Sequence, residues 1–97
     1  MARRISKGPP HIMRLVEALR EVIPRAQINL EWLRRRRYRF VVVSSKFERM
    51  DHPERQRLVW DLAGQVVPGE QIFEVGMIIT IGRREFASYA HVLSQGR

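Results

Sequence analysis

The chain has 97 residues, 44% of them hydrophobic, and carries 18 lysines and arginines against 10 acids, a formal net charge of +8. That length suits one domain and is too short for two, the apolar share excludes general disorder, and the absence of cysteine excludes disulfides, thiol catalysis and thiolate-held metal. No apolar run nears the roughly 18 residues that span a bilayer, and no apolar stretch follows the basic start MARRISKGPP, so the expectation is a cytoplasmic protein without membrane helix or secretory signal.

Residues 1–8, with Arg3, Arg4 and Lys7, predict a flexible basic tail, and residues 9–97 a single domain. Pro9 and Pro10 then set up a helix. Within residues 11–22, Ile12, Leu15, Val16 and Leu19 recur at helical spacing and lay down one buried stripe, which Pro24 ends. Ile28, Leu30 and Trp32 alternate with Asn29 and Glu31 as in a strand with one covered face, which makes Trp32 a core candidate. Arg34–Arg37 interrupt the pattern before YRFVVVSS, where Phe40 and Val42 face one way and Val41 and Val43 the other. An antiparallel hairpin is the economical reading, and without Asn-Gly or Asp-Gly its turn is expected to exceed two residues.

Asp51, Pro53 and Glu54 announce a second helix with a capping box. Its stripe is Leu58, Leu62 and Val66, flanked by Val59 and Ala63, and Pro68-Gly69 ends it. Gln71–Ile81 is the longest strand candidate, with Phe73, Val75, Met77, Ile79 and Ile81 on one face and Ile72, Glu74, Gly76, Ile78 and Thr80 on the other. After Gly82, a last helix places Phe86, Tyr89, Ala90 and Leu93 on one stripe. The resulting order is αββαβα.

The stretch FVVVSSKFERMDHPERQRLVWDLA, Phe40–Ala63, resembles the signature region of the BolA family. Val43, Ser44, Phe47, Glu48, Met50, Arg55, Arg57, Leu58, Val59 and Trp60 occupy matching places, and TIGRREF stands where the family often has T-P-E-E-W. The resemblance implies an α+β fold: an αββαβα sandwich related to the type II KH arrangement, with a three-stranded mixed sheet backed by helices. It further implies a stress-related role in transcription regulation or in iron–sulfur trafficking with a monothiol glutaredoxin. The family's histidine within R-H-R is Gln56 here, and the segment Ile72–Gly76 lacks the histidine of cluster-sharing members. Arginine offers no lone pair to iron, so an adaptor of this type is expected to work without cluster ligation.

No catalytic residue, metal ligand or cofactor is expected. His11, His52 and His91 are not paired at metal-ligand spacing, the capping box accounts for Asp51 and Glu54, and no nucleophile elbow or phosphate-binding glycine loop occurs. The glycines never show the G-x-x-G spacing of a KH clamp. What remains is cationic. Sixteen of the bases are arginine, whose planar fork pairs with phosphate in bidentate fashion.

The nucleic-acid-binding candidates are Arg34, Arg35, Arg36, Arg37 and Arg39 at the hairpin, with Lys46, Arg49, Arg55 and Arg57 around the second helix start. A solvated loop that discourages edge pairing accounts for the arginine run as readily as a phosphate grip does. The grip is preferred because a polyanion relieves the repulsion among four adjacent charges. The functional expectation is a non-enzymatic accessory or regulatory protein that binds nucleic acid with low sequence specificity through this loop. The alternatives are a glutaredoxin-contacting adaptor and an assembly module paired through the edge of the long last strand; the expected state is monomer or weak homodimer.

Overall fold

Two amphipathic helices and a strand ladder account for most of the chain, and the computed structural model describes residues 3–88. Helix α1 spans Pro10–Val22 with proline in its first turn, and it buries Ile12, Leu15, Val16 and Leu19, the stripe its spacing predicts. Helix α2 spans His52–Val66, and its capping box is complete: the Asp51 carboxylate accepts from the Glu54 N–H at 2.9 Å, while Glu54 accepts from the Asp51 N–H at 3.0 Å. The face α2 buries is centred on Val59 and Ala63, one residue round from the predicted stripe, and Leu58 and Leu62 flank it half-buried. No helix among the described residues is long and apolar enough to cross a membrane.

The strands are β1 (Arg3–Ile5), β2 (Gln27–Trp32), β3 (Tyr38–Val43) and β4 (Val75–Ile81). They form one mixed sheet in the order β1-β2-β3-β4, antiparallel across the first two junctions and parallel at the last. The architecture is therefore α+β, with four strands where the sequence predicts three. The added strand comes from the expected flexible tail. Arg3 to Ile5 pair with Trp32 to Leu30 through backbone, and Arg4 donates to the Asn29 side chain at 2.8 Å. Two arginines and an isoleucine are too short a run to carry an alternation signal; the strand is held by its ladder and by Ile5, which packs half-buried against the core beside Leu30.

The core lies between the helices and one face of the sheet, where Leu30, Tyr38, Phe40, Val42, Val75 and Ile78 meet Ile12, Leu15, Leu19, Val59 and Ala63. Phe47, in a 3-10 turn at Ser45–Arg49 whose Ser44 side chain accepts from the Lys46 N–H, closes one end. Parallel pairing of β3 and β4 requires a crossover, which α2 supplies.

β4 is shorter than its apolar run. Residues Gly69–Glu74 form a second 3-10 turn that begins at Gly69, with φ of 51°, and holds the Gln71 N–H to the Pro68 carbonyl. Tyr38 pairs with Val75 and Arg39 with Met77, so Gly76 bulges out of the ladder. That bulge moves Val75 onto the face of Ile78 and Thr80, whereas strict alternation sets it with Met77 and Ile79. A final helix, α3, begins at residue 83; of its predicted stripe, Tyr89, Ala90 and Leu93 lie outside the described residues, as does His91.

Candidate nucleic-acid interface

The hairpin tip is a tight turn. The Arg37 N–H bonds to the Arg34 carbonyl at 3.1 Å and the Leu33 N–H to the Arg37 carbonyl at 2.7 Å, so Leu33 and Arg34 together oppose Arg37. Arg35 and Arg36 hold the two central places at φ of 55° and 61°. Positive φ at both centres is the pattern of a type I′ turn, for which asparagine and glycine are the low-cost residues. Five residues, Leu33–Arg37, join the two strands, so the link exceeds two residues as expected, and at its tip arginine is held in the left-handed region at a cost of about 1–2 kcal/mol per residue. Beneath the turn, Gly76 leaves room for its neighbours. A Cβ there would lie 3.4 Å from the Arg37 Cβ, the Leu33 Cδ1 and the Tyr38 carbonyl oxygen, so the β4 bulge and the hairpin base pack together.

Arg34, Arg35, Arg36 and Arg37 are all exposed. The ion pairs among the described residues are His11–Glu74, Arg39–Glu31, Arg55–Glu85 and Arg84–Glu48, so no carboxylate neutralises any of the four. The ladder also brings Arg3 to this end of the sheet, opposite Trp32. Trp32 is 40% exposed and not core. Trp32 is the last residue of β2, where it shares a face with buried Leu30 and yet stays open to solvent. Phe73, in the 3-10 turn before β4, is 72% exposed at the same end. The sequence reads Arg3, Arg4 and Lys7 as a separate basic tail and gives Phe73 to a strand face; their arrival at the hairpin end depends on β1 pairing and on where β4 starts.

The remaining candidates lie elsewhere. Arg39 donates to Glu31 across the β2–β3 ladder, on the sheet face away from the core, and is already paired. Lys46, Arg49, Arg55 and Arg57 stand beyond the far end of β3, a strand that by itself spans about 17 Å at roughly 3.3 Å per residue. Lys46, Arg49 and Arg57 are exposed there. Arg55 is structural: its side chain is 11% exposed and bonds to the Met50 carbonyl at 3.0 Å, the Thr80 carbonyl at 3.4 Å and Glu85 at 2.8 Å, with the guanidinium 5.8 Å from the Phe47 ring centre.

The groove at this end, about 1030 Å³, includes Glu48 and Glu85 among its walls, which dilutes its positive field. The Gly82 N–H and the Arg55 guanidinium hold the Glu85 carboxyl below its usual range. The nine candidates therefore form no single stripe: four stand at the tip, four at the far end of β3, and Arg39 is paired with Glu31 between them. Among the described residues none of the four tip arginines has an ion pair, whereas the far group includes the Arg55–Glu85 pair.

Among the described residues no three histidine, aspartate or glutamate side chains gather as a metal site. His11, at the start of α1, lies 2.8 Å from Glu74 with its side chain largely buried. The outer edge of β4 is partly occupied from within. The Ile81 carbonyl faces β3, where it accepts from the Ser44 N–H, so the Ile78 and Thr80 carbonyls point outward. Gln56 donates to the Ile78 carbonyl at 2.9 Å and Arg55 to that of Thr80. Comparison with family models, with curated proteins and with solved structures finds no match to this chain.

Proposed function

We propose that the chain is a non-enzymatic, BolA-like accessory or regulatory protein that binds nucleic acid with low sequence specificity through the Arg34–Arg37 turn. One observation carries this reading. Two arginines occupy left-handed positions at a tip whose four guanidinium groups pair with no carboxylate among the described residues. A loop kept only for connection is cheaper with asparagine and glycine, and strain retained at an exposed, chemically armed site points to a use for those side chains. Arginine binds phosphate as a fork, which suits a backbone-reading contact that carries no base information. Lys46, Arg49 and Arg57 lie too far away to share the tip's first contact and extend the footprint only along a longer strand.

The test is a titration of labelled oligonucleotides across salt concentration by fluorescence polarisation. Four phosphate contacts on a single strand give a slope of log K against log salt of about −3. Replacing Arg35 and Arg36 together halves the contacts and brings the slope to about −1.4. Undetectable binding, or binding indifferent to salt, rejects the proposal.

A further inference from the structure

Beside the arginine turn lies a second feature with its own chemistry. Trp32 closes β2, with Arg3 opposite it on β1 and Tyr38 opposite it on β3. Cross-strand partners share a face, so Arg3, Trp32 and Tyr38 form a row on one side of the sheet. Tyr38 is buried and gives the row a firm inner side, while Trp32 remains 40% exposed. The segment Arg3 to Lys7 walls an open cleft of about 590 Å³ that contains Trp32, within the range of about 300–1,000 Å³ of small-ligand sites. Alternation turns Arg4 to the opposite face, where Asn29 holds it. Arg3 and Lys7 are exposed, with no ion pair to any described carboxylate.

We infer that this cleft takes an unpaired base, so that the partner of the arginine tip is a single strand and not a duplex. The inference rests on the reading of the tip as a nucleic-acid contact and adds the substrate class. An accessible indole face flanked by two uncommitted cations matches one nucleotide in shape and charge: the base stacks on Trp32, and Arg3 and Lys7 take the adjoining phosphates. Bases inside a duplex are already stacked on both sides and offer the indole nothing. Exposed Phe73 at the same end of the sheet gives a further apolar face for a neighbouring base.

The experiment uses a Trp60→Phe background, which leaves Trp32 as the only indole of the two tryptophans. Oligothymidylate and oligouridylate of about 12 nucleotides, and duplexes of equal length, serve as probes. Single strands quench Trp32 emission to saturation and bind more tightly than duplexes. Trp32→Ala weakens single-strand binding about five- to a hundredfold, Trp32→Phe restores most of it, and neither substitution changes duplex affinity.

Equal affinity for duplex and single strand, or single-strand affinity untouched by Trp32→Ala while loss of Arg35 and Arg36 still weakens it, overturns the inference and leaves the arginine-tip reading standing. Failure of every probe to bind overturns both. Circular dichroism of each variant separates loss of contact from loss of fold.

Discussion

At the scale of single residues, three arginines sit at positive φ: Arg25, Arg35 and Arg36. Arg25 follows Pro24 in the turn out of α1, where the Ala26 N–H bonds to the Ile23 carbonyl, a place that favours glycine. This makes a matched control. Arg25→Gly and the pair Arg35→Asn with Arg36→Gly each relieve left-handed strain and should raise stability by about 0.5–2 kcal/mol, read from the urea midpoint. Only the tip pair should weaken oligonucleotide binding; a parallel loss in Arg25→Gly would assign the effect to general charge.

Glu85 supplies a pH prediction. Its carboxylate accepts from the Gly82 N–H at 2.7 Å and from Arg55 at 2.8 Å, which lowers its pKa. A folded pKa below the unfolded value of about 4.3 means a contribution that is present above that value and is lost as pH falls through the folded pKa. Acid titration followed by NMR should place the Glu85 midpoint below the ordinary glutamate value of about 4.3, and Glu85→Gln should flatten the acid limb of the stability curve.

At the scale of elements, the edges of the sheet are the telling parts. β4 is apolar and has no strand on its outer side among the described residues, the kind of edge that recruits another chain. Gln56 and Arg55 of α2 spend their donors on its outward carbonyls, and Gln56 also accepts from the Trp60 indole N–H at 3.0 Å. Gln56→Ala removes both of these Gln56 bonds, together with the one it donates to the Thr80 hydroxyl at 3.3 Å, and uncovers the edge. It should cost about 1–3 kcal/mol and shift light scattering toward larger species as concentration rises; a variant that stays monomeric at high concentration rejects the edge-guard role. The opposite edge, β1, is defended differently, by being three residues long and carrying two arginines.

At the scale of the whole molecule, the charge of +8 is not spread evenly in effect. Arg39, Arg55 and Arg84 are balanced by Glu31, Glu85 and Glu48, while the tip is balanced by nothing among the described residues. Two guanidinium groups roughly 7 Å apart in water repel by about 0.6 kcal/mol, and salt screens this over about 10 Å at 0.1 M. Moderate salt should therefore raise the urea midpoint of the free protein while weakening its complex with oligonucleotides. The Arg35→Asn, Arg36→Gly pair should show a smaller salt gain, and an equal gain would place the repulsion elsewhere.

What the sequence determined by itself is whatever depends on neighbours along the chain. The stripe Ile12, Leu15, Val16 and Leu19 follows from helical spacing, the start of α2 from Asp51 and Glu54, and the β2–β3 hairpin from two apolar runs joined by a short polar link. Tertiary structure decided the rest, because each remaining feature depends on which element lies over which. β1 exists through backbone pairing with β2, Val75 changes face through the bulge at Gly76, and Trp32 stays exposed at the end of β2 although it shares a face with buried Leu30. The same holds for charge. Arg39 and Arg55 are as basic in sequence as Arg35 and Arg36, and only the fold sets a carboxylate beside the first two and none beside the others.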